Sequence, residues 1–365
     1  TYLNLLRFFS AAAVVLHHFH DKHFGPDWLT RYFPSEGRGF VTVFFVLSGF
    51  VVSMVAAQKS VGEFALDRSV RIYVVALPIL VGCTLLSIWF PYAFATTEYQ
   101  AAVDQPLATF VLNALFLSQS WQLYSVPFLD GPYWSLSYEV MYYVIFACFT
   151  YAQGKLRWLW VALSLLVAGP KVLLLFPCWL MGALAYKYRN ANQHGWAWAL
   201  AAPLILVVAF KVGLKEVANE LSDNLSRVLN LPPDGFIRSW LVALGVAFHI
   251  WGVCSIKQKF GRAVSRWGGR LAGMSYTLYL VHLPTLYILA AWIGDHQTLK
   301  FLILAMPVTL LTSYLVSLAT EAQRGRIKDL VRAALASVAN AERRRAASGG
   351  GLGSKVQQTL ERRPR

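Results

Sequence analysis

The sequence predicts an all-α integral membrane protein, a bundle of about ten transmembrane helices, on three observations. First, 57% of its 365 residues are hydrophobic and only 14% are charged. Second, the apolar residues fall in blocks of about 15 to 23, which is the length of chain that crosses a hydrocarbon core as a helix. Third, basic residues concentrate in alternate loops between these blocks, as expected of cytoplasmic loops.

Ten apolar blocks follow one another, and each is about long enough to span the bilayer as one helix. The fifth and sixth meet at Gly169 and Pro170, which predicts a tight hairpin because proline interrupts a helix and glycine permits a sharp reversal. The apolar stretch 107–118 is too short to cross, so we expect it at the membrane interface. The predicted spans are 3–20, 39–57, 71–91, 133–152, 156–169, 171–187, 196–211, 237–254, 271–293 and 300–319.

The loops between these blocks differ in charge. The longest loop on one side, 92–132, contains no lysine or arginine but carries Glu98, Asp104 and Asp130. The loops on the other side are basic, and basic loops stay in the cytoplasm. We therefore expect cytoplasmic termini and a multi-pass protein of the cell (inner) membrane. The basic residues of the predicted cytoplasmic loops are Lys59, Arg68, Lys155, Arg157, Lys187, Arg189, Lys257, Lys259, Arg262, Arg266 and Arg270.

Two regions make up the predicted domain organisation. Residues 1–320 form the ten-helix transmembrane domain, and residues 321–365 form a basic cytoplasmic tail that is partly helical and then disordered. The net charge of +15 owes much to this tail and to the basic loops. Contact with membrane lipids of the inner leaflet explains the tail better than binding to nucleic acid, so no nucleic-acid partner is expected.

The first block carries ionisable side chains where a bilayer makes them costly. Arg7 and His18 are close to three helical turns apart, so they share one face, roughly 16 Å apart along the axis. Snorkelling explains Arg7 alone and helix capping explains His18 alone, but both on one stripe favour a functional face. His17, His20 and His23 lack the spacing of metal ligands, so no metal is expected.

The fourth block contains one acidic residue, Glu139, about one and a half turns inside the predicted helix. Ser135 and Tyr142 fall on the same face of that helix. A carboxylate in the membrane needs a cationic or protonated partner, and we expect His18 at the same depth. Ser48 in the second block is one of several small or hydroxylated residues, which helix packing explains as well as ligand binding does.

Two further motifs carry polar groups. Arg68 and Arg71 are one helical turn apart at the predicted cytoplasmic boundary, where two guanidinium groups suit a phosphate, although a membrane anchor explains either one alone. Ser275, Tyr279 and His282 follow helical spacing and define one polar face of the ninth block. A hydrogen-bonded packing role explains His282 equally well.

The order of these motifs resembles the membrane acyltransferase-3 family. The chain contains R-x10-H, FFVLSGF, R-x-x-R, WSLSYE and SYTLYLVH in succession, and the resemblance runs from residue 3 to about residue 321. Members are ten-helix enzymes that transfer acyl or acetyl groups to carbohydrate and lipid-linked acceptors. The resemblance implies that Arg7 and His18 are the R-x10-H pair, with the histidine essential. It also implies that Arg68 and Arg71 meet acyl-CoA phosphates, and that Glu139 is the family's glutamate.

The chain departs from the family pattern at two places. Val140 stands where many members have a second acidic residue. Ala322 follows Glu321 where an Arg-Pro or Lys-Pro pair is usual, so the resemblance assigns no role to Glu321.

We therefore expect a membrane-bound O-acyltransferase. It would move an acyl group, most simply acetyl, from cytoplasmic acyl-CoA (acetyl-CoA) to a hydroxyl of a carbohydrate, glycolipid or small lipid acceptor. His18 is the expected general base, because a histidine pKa lies close to neutral pH. Arg7 and Glu139 complete the expected catalytic group, and the expected substrate-binding or orienting residues are Ser48, Ser135, Tyr142, Tyr279 and His282.

Two other classes of protein use the same residue types. A proton-coupled transporter or exporter would use Arg7, Glu139 and His18 within the membrane. Against it, no inverted repeat is visible and the two arginines of the R-x-x-R motif would have no purpose. A haem protein would use His18 and His282 as paired iron ligands.

Overall fold

The computed structural model describes residues 1–91, 97–191, 195–232, 235–256 and 260–338, together with 340 and 342. No strand is among them. Lys257 and Lys259 of the predicted basic loops and residues 343–365 of the tail lie outside the described residues. The helices are α1 (Tyr2–Asp21), α2 (Asp27–Thr30), α3 (Gly37–Ala56), α4 (Val61–Trp89), α5 (Gln100–Asp104), α6 (Pro106–Ala114), α7 (Trp134–Tyr151), α8 (Gly154–Lys187), α9 (Gly195–Lys211), α10 (Leu214–Val228), α11 (Phe236–Ser255), α12 (Arg262–Ala272), α13 (Ser275–Ile293) and α14 (Leu299–Ala319), with residues 324–338 also helical.

Six helices of the described chain are long and apolar enough to cross a membrane, or seven if the bent pair α9 and α10 counts as one span. The protein is therefore an all-helical, multi-pass membrane protein. All ten predicted blocks are helical, but α1 and α7 are not among the six. Arg7 and three histidines in α1, and Glu139 and four tyrosines in α7, lower the hydropathy of these two helices. The count of ten spans and the cytoplasmic termini stay predictions.

The hairpin predicted at Gly169 corresponds to a break inside α8. A straight helix of 34 residues would be about 51 Å long, well beyond the hydrocarbon core. At Gly169 the backbone leaves helical geometry (φ 75°, ψ 168°), so two helical arms meet there. Both sides of the break contact one loop: the Trp121 indole N–H donates to the Leu166 carbonyl, and the Lys171 ammonium donates to the Leu123 carbonyl. The predicted break between two helices at Gly169 is confirmed, and the tight hairpin stays a prediction.

The start of α4 differs from the predicted third span. The helix begins at Val61, ten residues before the predicted start at Arg71. Ser60 caps it, because its hydroxyl accepts a hydrogen bond from the Glu63 N–H at 3.3 Å. Arg68 and Arg71 therefore lie inside the helix, not at its boundary, and this changes which neighbours each one meets.

Three shorter helices lie in stretches that the sequence analysis places outside the spans. α6 is nine residues long, too short to cross a bilayer, and its place at the membrane interface stays a prediction. α10 and α12 are amphipathic helices in predicted loops, and each keeps apolar side chains exposed, including Leu221 in α10 and Trp267 in α12. Their polar composition hides them from a search for long apolar blocks.

Helix α3 packs against α8, α1, α11 and α7, and two glycines bring it close to α8. A Cβ atom at Gly49 would meet the Trp179 carbonyl, and one at Gly182 would meet the Val46 carbonyl. Small residues of this kind let two helix backbones approach closely in a membrane. The contact fixes α3 so that Ser48 reaches α7 and α8.

Candidate active site

Three cavities follow one another between α1, α3, α4, α7 and α13. The histidine cavity, about 230 Å³, is lined by His18 and its neighbours on α1. The glutamate cavity, about 50 Å³, is lined by Glu139. The arginine cavity, about 780 Å³, is lined by Arg270 and by residues after α14. The series is narrow in the middle and widest at the arginine end.

Neighbouring cavities in the series have lining residues in common. Val41 and Tyr279 line both the histidine cavity and the glutamate cavity. Arg7 and Arg71 line both the glutamate cavity and the arginine cavity. His18 and Arg71 therefore line members of one series of adjacent cavities, and a continuous path between them stays a prediction.

His18, which lines the histidine cavity, contacts the buried His282. His18 Nδ1 lies 2.9 Å from the Val14 carbonyl oxygen and 3.1 Å from His282 Nε2, and His282 Nδ1 lies 3.0 Å from the Leu278 carbonyl oxygen. Because a carbonyl only accepts, we assign the proton of each ring to Nδ1. His282 Nε2 then accepts from His18, and His18 Nε2 keeps a free lone pair. The haem interpretation is not favoured, because the two rings contact one another directly.

Charged side chains form the rim of the histidine cavity. The Lys22 ammonium lies 3.0 Å from a Glu98 carboxylate oxygen and 3.3 Å from an Asp21 carboxylate oxygen. Partial burial alone would lower the pKa of Lys22, but the Glu98 carboxylate outweighs it and raises that pKa above its ordinary value. The Arg38 guanidinium lies over the Trp134 ring, 5.8 Å from its centroid. The rim thus offers charges of both signs and an aromatic face.

The other histidines near the end of α1 hold separate partners. His17 Nδ1 lies 3.2 Å from the Pro34 carbonyl oxygen, and His20 Nδ1 lies 3.0 Å from the Thr30 carbonyl oxygen. These rings therefore fix the turn after α1. Over the part of the chain that the structure describes, no group of three His, Cys, Asp or Glu side chains is arranged to hold a metal.

Glu139 is held by two hydroxyl groups. Its Oε1 accepts a hydrogen bond from Ser48 Oγ at 2.9 Å and another from the Tyr143 hydroxyl. The Trp179 indole N–H in turn donates to Ser48 Oγ at 3.3 Å. Three helices, α3, α7 and α8, therefore determine where this carboxylate points. Ser48 belongs to the site and is more than a packing residue.

Ser135 and Tyr279 are hydrogen-bonded to one another beside the glutamate cavity. Their hydroxyl oxygens lie 2.9 Å apart, and the Tyr279 hydroxyl also lies 3.0 Å from the Pro132 carbonyl oxygen. Both residues line the same cavity as Glu139. The sequence-based placement of Ser135 on the face of Glu139, and of Tyr279 on the face of His282, is confirmed.

Two residues expected near Glu139 have other hydrogen-bond partners. Tyr142 does not reach it, because the Tyr142 hydroxyl donates to the Val172 carbonyl at 2.9 Å and the residue is fully buried between α7 and α8. The neighbouring Tyr143 takes the predicted place. His18 does not partner Glu139 either, since the two residues line different cavities and His18 pairs with His282.

Arg7 and Arg71 lie together, whereas Arg68 turns away. Within the described residues, neither the Arg7 nor the Arg71 side chain has a carboxylate within 4.0 Å or a hydrogen bond. Arg68 is ion-paired with Asp67 at 2.5 Å and lines a different pocket between α4 and α7. The predicted Arg68–Arg71 phosphate pair is therefore not formed. The pair that faces one cavity is Arg7 and Arg71.

The arginine cavity gains two further guanidinium groups, from Arg270 on α12 and Arg324 after α14. Among the residues that the structure describes, Glu321 is the one acidic residue in its lining. The Glu321 Oε2 atom accepts from the Thr277 N–H at 3.2 Å and from the Thr277 hydroxyl at 2.8 Å. Glu321, which the resemblance left without a role, thus ties the chain after α14 to the start of α13.

Sequence reasoning missed two of these site residues. Tyr143 had a usable signal, because it lies four positions after Glu139 and therefore also on its helix face. Arg324 had no such signal, since one arginine in a basic tail resembles the others and only the folded chain brings it to the cavity.

Comparison with known proteins agrees with the motifs. A family model described as an acyltransferase domain (Acyl_transf_3) matches residues 1–318. No curated protein and no solved structure matches significantly. The matched region contains Arg7, His18, Arg71, Glu139 and His282. The chain belongs to the acyltransferase-3 family and is an acyltransferase.

Proposed function

We propose that this enzyme transfers an acyl group, most simply acetyl, from cytoplasmic acyl-CoA to a hydroxyl of a carbohydrate, glycolipid or small lipid acceptor at the inner membrane. The observation that carries the proposal is the series of three cavities. Within the described residues, arginines without an ion pair line one end of the series, and an imidazole with a free nitrogen lines the other. A donor with an anionic head and a slender acyl-bearing arm matches this shape.

Charge supports a polyanionic donor in the arginine cavity. Four arginines and one glutamate line it, an excess of three positive charges. Guanidinium groups bind phosphate oxygens through several N–H donors at once, and an anion would relieve the repulsion between Arg7 and Arg71. The phosphates of acyl-CoA supply such an anion. We place this end at the cytoplasm, in agreement with the basic loops beside it.

The narrow glutamate cavity supports a thin arm between head and thioester. Its volume of about 50 Å³ excludes a nucleotide but admits an extended chain. Glu139 lies beside this path and is fixed by Ser48 and Tyr143. We assign Glu139 a positioning role, in which its carboxylate orients the arm or the arginines beneath it, with no bond to His18.

His18 is suited to act as the general base in the histidine cavity. Its Nε2 would take the proton of the acceptor hydroxyl while that oxygen attacks the thioester carbonyl carbon. The carbon–sulfur bond then breaks, and the proton passes to the leaving thiolate, which gives the acyl ester and free CoA. The charged imidazolium would donate through Nδ1 to His282 Nε2 and to the Val14 carbonyl. His282 is thus a positioning residue for the base.

The transporter interpretation is not favoured, because the family to which the chain belongs is one of acyltransferases. The three residues that it shares with the enzyme, Arg7, Glu139 and His18, do not form one relay: no hydrogen bond or ion pair joins them in the described chain.

Labelled acetyl-CoA tests the proposal. The purified full-length protein is incubated with acetyl-CoA labelled in the acetyl group and with envelope glycan and lipid fractions from cells that lack the gene. We expect the label in one acceptor fraction together with released CoA, and no transfer by the His18→Ala variant. If a folded preparation neither binds CoA nor transfers label to any fraction, the proposed donor is wrong.

A further inference from the structure

Asp67 is a buried carboxylate at the centre of a cationic cluster. Only 4% of the residue is exposed. Its oxygens lie 3.1 Å from Lys59 Nζ, 2.5 Å from the Arg68 guanidinium and 2.8 Å from Lys328 Nζ, with the Arg324 guanidinium at 3.8 Å. Removing the cationic partners of a buried carboxylate is strongly destabilising, because it leaves the charge uncompensated. Asp67 therefore holds its partners firmly in place.

Two of these cations come from the chain after α14. Lys328 and Arg324 lie on the helical residues 324–338, and Arg332 of the same helix lies 3.9 Å from Glu63 on α4. The segment therefore folds back onto α4. It lies outside residues 1–318, the part of the chain that the family model matches.

The same segment reaches the arginine cavity. Arg324 lines it beside Arg7, Arg71 and Arg270, and the Arg324 side chain is 38% exposed. Its contact with Asp67, at 3.8 Å, is the longest of the four and is too long for a hydrogen bond. The guanidinium therefore lies near Asp67 and keeps N–H groups that can bind a ligand.

We infer that Arg324 binds a phosphate of the acyl donor, and that Asp67 positions it by holding the helix 324–338 against α4. This inference rests on the proposed function, because it assumes a phosphorylated donor in the arginine cavity. It adds to that function a donor-binding residue from outside the matched domain and names the anchor on which its position depends.

Equilibrium binding of CoA to the full-length protein tests the inference without an acceptor. Arg324→Gln should raise the CoA Kd by about tenfold to a hundredfold, the effect of losing one charge-assisted hydrogen bond. Asp67→Asn and Lys328→Gln should raise it less, because both act through Arg324. The matched control is Arg326→Gln, an exposed arginine on the same helix that donates a hydrogen bond to Gln323 and lies outside the cavity, which should leave the Kd unchanged.

A double variant separates positioning from general damage. If Asp67 acts through Arg324, the Asp67→Asn/Arg324→Gln protein should bind CoA as weakly as Arg324→Gln alone. If Asp67→Asn does not fold, Lys328→Gln takes its place in the binding measurement and in the double variant. An unchanged Kd for Arg324→Gln overturns the inference, and so does a double variant whose effects add fully. If the wild-type protein does not bind CoA at all, the proposed donor is wrong. That result differs from an unchanged Kd of Arg324→Gln, which would contradict only the inference about Arg324.

Discussion

The two ends of the cavity series are built on different principles. At the histidine end, His18 and His282 are each fixed by a main-chain carbonyl and by one another, in a cavity of about 230 Å³. At the arginine end, Arg7 and Arg71 have no such partner within the described chain, and the cavity is about 780 Å³. One end holds its groups in fixed positions, and the other leaves charges unpaired.

The contrast matches what each end is proposed to do. A general base must keep its lone pair within hydrogen-bond reach of a reacting oxygen, so its ring must not rotate. A site for a polyanion needs positive potential in a space large enough for the ligand, and it gains by keeping guanidinium groups free until the ligand arrives. Changes at the first end should therefore alter turnover, and changes at the second should alter binding.

The largest effect is expected from His18→Ala. Loss of the general base should lower turnover by about a hundredfold to ten-thousandfold, while CoA binding stays unchanged because the arginine cavity is remote. Acetyl transfer and CoA Kd, measured on the same preparation, check both halves. His23→Ala, an exposed histidine outside the cavity, is the matched control. Near-normal turnover of His18→Ala would show that the base is elsewhere.

Arg71→Gln should have the opposite signature. We expect the CoA Kd to rise by about tenfold to a hundredfold, because a charge-assisted contact with phosphate is lost. Turnover at saturating acetyl-CoA should fall far less. Arg31→Gln, which removes an exposed arginine over Tyr32, controls for the change in net charge. An unchanged Kd would remove Arg71 from the donor site.

Changing His282 should have a smaller effect that tests how the base is held. His282→Ala removes the acceptor for the His18 Nδ1–H and should lower turnover by about tenfold, with no change in CoA Kd. His282→Gln offers an amide oxygen at a similar place and should restore part of the loss. If the glutamine variant is no better than the alanine variant, His282 contributes by packing alone.

The smallest effects separate two neighbouring tyrosines. Tyr143→Phe removes a hydrogen bond to Glu139 and should lower turnover by up to about tenfold. Tyr142→Phe removes a hydrogen bond to the Val172 carbonyl and should cost about 1 kcal/mol of unfolding free energy with turnover unchanged. Thermal melting and acetyl transfer on both variants decide the assignment. Equal losses of turnover would place both tyrosines at the site.

Much of the architecture could be predicted from the sequence because its signals are local. Apolar block length located the helices, the Gly169-Pro170 pair located the break in α8, and helical spacing put Arg7 and His18 on one stripe. The helices most relevant to function, α1 and α7, are also the least apolar of the predicted spans that line the site. The polar residues that mark a site are the ones that weaken the membrane signal.

The finer assignments depended on side-chain directions that helical spacing does not fix. Arg68 and Arg71 are one turn apart, yet Arg68 turns to Asp67 and Arg71 turns to the cavity. Helical spacing places Tyr142 and Tyr143 nearly equally well, and the position of α8 decides between them. Spacing gives the face of a helix to within some tens of degrees, which is too coarse to choose between adjacent side chains.

The amino-acid sequence by itself determined that this chain is a helical membrane protein of the acyltransferase-3 family, because hydrophobic block length, charge asymmetry and motif order are properties of the chain alone. Only the tertiary structure decided that His18 meets His282, that Glu139 rests on Ser48 and Tyr143, and that Arg324 returns to the arginine cavity. Except for the Glu139–Tyr143 bond within α7, these contacts join elements far apart in sequence, and packing between helices fixes them.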